Sequence, residues 1–107
     1  MGRQSKRRYP VAGAALMALE WTSKALSDLS RLHAFLAPVN RVAAARTVQS
    51  LAGAPVKFLA NPHIGKRLEE FEPRELRRVL VGHYEIRYEI QVSTIFLLRL
   101  WHTREDR

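Results

Sequence analysis

The stretch from Leu76 to His102, LRRVLVGHYEIRYEIQVSTIFLLRLWH, decides the fold because it holds three β-strand patterns in close succession. In the middle pattern, Tyr84 to Ile90, tyrosine and isoleucine alternate with charged residues, which is the period of a half-buried strand. Turn-forming residues separate the three patterns, at Gly82 and His83 and again at residues 91–93. We therefore predict an antiparallel meander of three strands, Leu76–Val81, Tyr84–Ile90 and Thr94–His102.

The residues before the meander carry one further strand pattern and two helical ones. The short apolar and aromatic run Ala18–Thr22 predicts an opening strand that ends where a helix can be capped. Apolar residues then recur at helical spacing from Lys24 to a stop near Pro38. They do so again after Asn40, a residue type that favours helix starts, until Gly-Ala-Pro at 53–55 should kink or fray the second helix.

The charged run Lys66–Glu75 lies between the helices and the meander and predicts a long exposed loop, because such residues rarely form a buried element. The resulting order is β, α, α, β, β, β. It predicts an α+β domain in which a helical hairpin packs on one face of a mostly antiparallel four-stranded sheet.

Length and composition exclude several classes of protein. The 107 residues suffice for one domain, and 47% hydrophobic with 26% charged residues is typical of a globular chain. The absence of cysteine excludes a disulfide framework and thiolate chemistry, and it fits a cytoplasmic location. The longest apolar runs are too short to span a bilayer, so no membrane partner is predicted. A net charge of +8 favours a polyanion or an acidic protein as the partner.

Half of this charge lies in residues 1–16, which contain Arg3, Lys6, Arg7 and Arg8 and no acid. Because Met17 reads as a natural start, we interpret residues 1–16 as a basic leader. It is expected to be disordered and to derive from expression cloning or from an over-extended reading frame. Residues 17–107 are then the folded domain, with a net charge of +4.

Four stretches of this domain, in their order and spacing, resemble the RelE/ParE superfamily of toxins from bacterial type II toxin–antitoxin modules, which includes plasmid stabilisation proteins. The resemblance extends over residues 17–107 nearly end to end. The stretches are Leu19-Glu20-Trp21 before the helix ALSDL, Leu59 to Arg67 with Pro62 and Gly65, RRVLVGHYEIRYEI from Arg77, and LRLWHTREDR from Leu98.

The resemblance implies one of two activities. RelE-like members are ribosome-dependent mRNA endonucleases, whereas ParE-like members bind and poison DNA gyrase. Both kinds are neutralised by an antitoxin whose extended, acidic C-terminal segment wraps the toxin. No cofactor or metal is implied, and the four scattered histidines lack the spacing of metal ligands.

An RNA endonuclease would need a proton acceptor, a proton donor and cations around one phosphate. By resemblance, Arg78 and Arg104 hold the phosphate-binding positions of RelE-like nucleases, and His102 is the candidate acid or base. RelE-like chains usually end in a tyrosine that this sequence lacks, and their lysine-rich loop is reduced here to Lys66 and Arg67. Both departures favour a ParE-like inhibitor that is not an enzyme.

As contacts for the target or the antitoxin, we predict Lys66, Arg67, Trp101, Arg104 and Arg107. Tyr84 and Tyr88 share the apolar face of their strand and are assigned to the core, whereas Trp101 is expected at the rim of a binding face. The tail after His102 should project from the sheet. Replacing His102 and Arg104 together by alanine should then abolish growth inhibition and leave thermal stability and antitoxin binding nearly unchanged.

Overall fold

The structure, a computed structural model, describes residues 7–9 and 17–105, with side chains for the second range. In these residues six strands form one sheet, in the order β1-β2-β6-β5-β4-β3. The strands are β1 (Arg7–Tyr9), β2 (Met17–Trp21), β3 (Lys66–Arg67), β4 (Glu75–Val81), β5 (Tyr84–Gln91) and β6 (Thr94–His102). The helices are α1 (Ser23–Leu36), α2 (Arg41–Gly53) and α3 (Val56–Ala60), and a 3-10 turn covers Glu69–Phe71. Strands β2 and β6 are parallel, and the other neighbours are antiparallel.

The predicted meander is confirmed by β4, β5 and β6. Its alternation places Ile86 and Tyr88 in the core, where both are fully buried. The Tyr88 hydroxyl donates to the Pro62 carbonyl at 2.7 Å and accepts from the Gly65 N–H at 2.9 Å, so the loop before β3 is anchored to the core. At the β4–β5 turn Gly82 has a φ of 61°, which glycine adopts without strain.

The helical hairpin is also confirmed, and both helices begin at side-chain caps. The Thr22 hydroxyl accepts from the Ala25 N–H, and the Asn40 side chain accepts from the Ala43 N–H. As predicted, the second helix ends at residues 53–55, and the separate short helix α3 follows it. Leu32 of α1 and Leu51 of α2 are buried in the core against the sheet.

Two features of the predicted architecture need correction. The sheet has six strands in the described residues where four were predicted, because the short strands β1 and β3 extend it at its two edges. The run Lys66–Glu75 is not simply a loop, since it contains β3, the 3-10 turn and the first residue of β4. Leu68 anchors this run, because its side chain is buried and its N–H donates to the Leu76 carbonyl at 2.8 Å.

Strand β1 lies within the predicted leader. It pairs antiparallel with β2, with Arg7 opposite Leu19, so these three residues differ from the expectation of disorder. The outer edge of β2 offers unpaired backbone groups, and a neighbouring strand satisfies them. The other residues of the leader lie outside the described part of the chain. The origin of residues 1–16 stays a prediction.

A β-bulge interrupts β6 at Leu98, because Arg87 of β5 is opposite Arg99 while the next residue, Tyr88, is opposite Leu97. One extra residue in β6 reverses which face each later side chain occupies. Leu100 therefore lies on the helix-covered face opposite Ile86, and it is fully buried.

Strand β2 pairs with β6 only as far as Leu97, and helix α1 satisfies the backbone of β6 beyond that point. The Leu100 N–H donates to the Asp28 carboxylate at 2.8 Å, and the Leu100 carbonyl accepts from the Arg31 guanidinium at 3.2 Å. These contacts tie α1 to the final strand. Across the described residues, no helix is long and apolar enough to cross a membrane.

Candidate functional site

The end of β6 places His102 on the helix-covered face of the sheet. His102 lies opposite Tyr84 of β5, and the two rings meet edge to face with centroids 5.1 Å apart. The His83 ring is stacked with the His102 ring at 5.9 Å. Three rings from the β4–β5 turn and the end of β6 thus form one aromatic cluster.

The tail after His102 folds back in a turn and does not project as predicted. The His102 N–H donates to Glu105 at 2.7 Å, and His102 Nδ1 accepts from the Arg104 N–H at 3.0 Å. Glu105 also forms an ion pair with Arg31 of α1. The tail is therefore held against the first helix, with the Arg104 side chain exposed beside it.

Asp28 is the buried anchor of this arrangement, with 4% of its surface exposed. Arg99, which follows the bulge, donates to the Asp28 carboxylate at 2.8 and 3.2 Å. Burial by itself would raise the pKa of Asp28, but the hydrogen bonds from Arg99 and the Leu100 N–H, with the Arg99 charge, hold that pKa below its ordinary value. Asp28 is thus ionised at neutral pH and fixes Arg99 between α1 and β6.

A second group of predicted residues meets on the opposite, helix-free face of the sheet. Lys66, Arg67 and Arg78 line a depression of about 540 Å³ together with Arg87 of β5. Lys66 is opposite Arg78, and Arg78 is opposite Arg87, so one cation stands on each of three neighbouring strands. Like charges in direct opposition destabilise a sheet unless an acid or a ligand compensates them.

Part of that compensation comes from Glu85, which is nearly buried. Its carboxylate lies 3.0 Å from Arg87 Nε and 3.6 Å from an Arg78 nitrogen. Glu69 and Glu70 also line the depression, and Arg67 pairs with Glu72 at 3.5 Å. The surface is consequently rich in both signs of charge.

Sequence reasoning did not single out Arg87, and it misplaced Trp101. The alternation from Tyr84 to Ile90 places Arg87 on the face away from the core, and this pattern could have indicated that Arg87 belongs to the basic surface. Trp101 is only 7% exposed, and the Arg87 guanidinium carbon lies 4.9 Å from its ring centroid. The bulge turns Trp101 onto the helix-free face, where Arg87 covers it, so the indole is not at an open rim.

The residues predicted for RNA cleavage are not brought together. Arg78 shares its face with Arg87, while His102 shares the other face with Tyr84, and these two β5 residues are three positions apart on an uninterrupted strand. Alternation therefore puts Arg78 and His102 on opposite faces of the sheet. Arg104 stays with His102, and Arg107 lies outside the described residues. In the part that the structure describes, no cluster of three or more His, Asp or Glu could hold a metal ion.

The fold defines a small α+β protein in which a helical hairpin and a meander sheet are joined through a parallel opening strand. A solved structure titled "Chromosomal ParDE TA system from P. aeruginosa" contains a chain of similar fold, with a TM-score of 0.67 at 19% sequence identity. The match covers 80% of this chain and 95% of that one.

Residues 19–107 match the family described as the ParE toxin of the type II toxin–antitoxin system parDE. The chain therefore belongs to the ParE toxin family, which confirms the resemblance seen in the sequence. A comparison with curated proteins returned no match.

Proposed function

We propose that this ParE-family toxin acts by binding and poisoning DNA gyrase, and that a cognate antitoxin with an acidic C-terminal segment neutralises it. One observation carries the choice of an inhibitor over a nuclease, namely the separation of Arg78 from His102 by the sheet. A proton-transfer group must lie within hydrogen-bond reach of the reacting atoms, so one phosphodiester would not contact both side chains. Gyrase as the target rests on the family resemblance alone.

The proposal is tested with purified protein in two parallel assays. In a gyrase supercoiling assay we expect loss of supercoiled product and accumulation of cleaved DNA. In a cell-free translation reaction at the same concentration, messages should remain intact. Unchanged supercoiling together with cleaved messages would reject the proposal. Stabilisation of the replicon that carries the module, as in plasmid stabilisation, is the biological role we attach to this activity.

The basic depression favours a second candidate, a ribosome-dependent mRNA endonuclease. Lys66, Arg67, Arg78 and Arg87 could together hold a phosphate there, with Glu69 or Glu70 as the neighbouring carboxylate. His102 and Arg104 would then have no part in cleavage. Two matched variants separate the candidates, since Arg78→Ala should remove toxicity if the protein is a nuclease, and Arg104→Ala should remove it if the tail contacts gyrase.

A further inference from the structure

The basic depression on the helix-free face carries more positive charge than its ion pairs neutralise. Lys66, Arg78 and Arg87 stand opposite one another on β3, β4 and β5, and we refer to these three residues as the cation ladder. Glu85 is shared between Arg87 at 3.0 Å and Arg78 at 3.6 Å. Among the described side chains, Lys66 forms no ion pair. Three cations that share one carboxylate leave an excess of two positive charges.

Such an excess indicates an anionic ligand, because like charges in direct opposition on neighbouring strands repel one another. Glu69 and Glu70 line the same depression, but neither pairs with a ladder residue in the described part of the chain. An anion in the depression, about 540 Å³ in volume, would supply the missing compensation. The guanidinium groups of Arg78 and Arg87 favour a phosphate, since its oxygens match their planar fork of donors.

The spacing of the cation ladder fits a row of phosphates. Neighbouring strands of a sheet lie about 4.8 Å apart, so the ladder extends over roughly 10 Å. Successive phosphates of one DNA strand advance by about 3.4 Å along the helix axis, so this length covers about three of them. The ladder therefore matches a short stretch of nucleic-acid backbone.

The lining of the depression favours a duplex over a single strand. Proteins that bind unpaired bases stack them on exposed aromatic rings. The described residues that line the depression include no aromatic side chain. The indole of Trp101 is 7% exposed and is covered by the Arg87 guanidinium. A nucleic acid on this surface thus presents its phosphates and keeps its bases stacked on one another, as duplex DNA does.

We propose that the cation ladder binds the phosphate backbone of duplex DNA without reading its sequence. Phosphate contacts fix the position of a protein on DNA and carry no direct sequence information. The duplex would lie on the face opposite to His102, so one toxin molecule could contact DNA and a protein target at the same time. The inference rests on the proposed function in one respect, that the DNA held by gyrase is the duplex which the toxin meets.

The test is fluorescence anisotropy with a short labelled DNA duplex and the full-length protein, repeated over a range of salt concentrations. The logarithm of the affinity falls with the logarithm of the salt concentration, with a slope of about −0.9 for each phosphate contacted. Lys66→Gln or Arg78→Gln should make this slope shallower by about one and weaken binding roughly fivefold at low salt. Glu70→Gln should strengthen binding, because it removes a carboxylate from the depression.

Two variants serve as matched controls. Arg41→Gln and Lys57→Gln make the same charge change on α2 and α3, away from the ladder, and should bind the duplex like the wild type. The basic residues of the leader are present in every variant and contribute equally. Circular dichroism checks the folding of each variant, and Lys66→Gln changes only an exposed side chain, so it keeps the test decisive if Arg78→Gln does not fold.

Three results would overturn the inference. The first is an equal loss of affinity in the ladder variants and the controls. The second is ladder-dependent binding of a single-stranded RNA of the same length that is tighter than binding of the duplex. The third is cleavage of messages that Arg78→Ala removes, since the ladder would then serve RNA.

The same experiments separate this inference from the proposed function. If the toxin binds the duplex through the ladder but leaves supercoiling by gyrase unaffected, the DNA surface stands and the gyrase proposal fails. If the toxin inhibits gyrase and does not bind the duplex, or binds it independently of the ladder, the gyrase proposal stands and the DNA surface is rejected.

Discussion

Replacing Asp28 by asparagine tests whether the buried carboxylate holds α1 to the final strand. The substitution keeps the shape of the side chain and removes its charge. Asp28 accepts hydrogen bonds from Arg99 at 2.8 and 3.2 Å and from the Leu100 N–H at 2.8 Å. Breaking one partner of a buried ion pair costs about 3–5 kcal/mol. Because a third of the Arg99 side chain is exposed and can regain water, we expect a smaller loss of about 2–3 kcal/mol.

The free energy that Asp28 contributes to stability should depend on pH in a definite direction. The pKa of Asp28 in the folded protein lies below its ordinary value of 3.8, so its contribution to stability is fully present above that pH and is lost as the pH falls through the folded pKa. The difference between wild type and Asp28→Asn should therefore be constant near neutrality. It should shrink in acid.

Urea denaturation monitored by circular dichroism at neutral and acidic pH measures both effects. The slope of the free energy of unfolding with urea should not change, because the variant buries the same surface. Glu105→Gln is the control, since it removes a partly exposed partner of Arg31 and should cost less than about 1 kcal/mol. A neutral-pH loss for Asp28→Asn as small as that of the control, or a loss that persists undiminished in acid, would refute the reasoning.

Three further predictions concern a glycine beside the core, the buried tyrosine and the end of the chain. Gly65→Ala should lower the melting temperature, because the added Cβ would lie 2.7 Å from the Arg78 carbonyl and 2.8 Å from the Tyr88 hydroxyl. Gly53→Ala is the control, since its added Cβ meets nothing within 4 Å and the change should be neutral or stabilising. Equal melting temperatures of the two variants would contradict this. Tyr88→Phe should cost about 1–3 kcal/mol in urea denaturation, because it leaves the Gly65 N–H without its acceptor, and a cost near zero would show that water replaces the hydroxyl. The double variant with His102→Ala and Arg104→Ala should no longer inhibit growth when its expression is induced, and its circular dichroism spectrum should stay unchanged. Retained toxicity would assign the active surface to the basic depression.

The sequence predicted those elements whose local pattern agrees with their tertiary environment. Strand β5 has polar and apolar residues in strict alternation, and Asn40 and Thr22 are good helix caps, so each was placed correctly. The strand β3 was missed because its two residues are both charged and exposed. These two residues form a strand only because they pair with β4. Two residues are too few to show an alternation from which such pairing could be predicted.

The candidate site was harder to predict, because the face of the sheet that a side chain occupies depends on the register of its strand. Strict alternation along β6 assigns Leu97 and Trp101 to one face and Leu100 to the other. In the structure Leu97 and Leu100 are both buried on the helix-covered face, because Leu98 is an extra residue in the ladder. Four apolar residues in a row, from Ile95 to Leu98, carry no signal that marks where the period shifts.

The bulge at Leu98 also determines what the end of the chain can do. Without it, His102 would lie on the helix-free face, the face of Arg78 and Arg87, where a histidine beside two arginines could serve phosphate chemistry. With it, His102 meets Tyr84 and the helical hairpin. Asp28 supports this register, since it binds both Arg99 and the Leu100 N–H directly after the extra residue. One inserted residue, held by one buried carboxylate, thus directs His102 toward Tyr84 and the helical hairpin and away from Arg78 and Arg87.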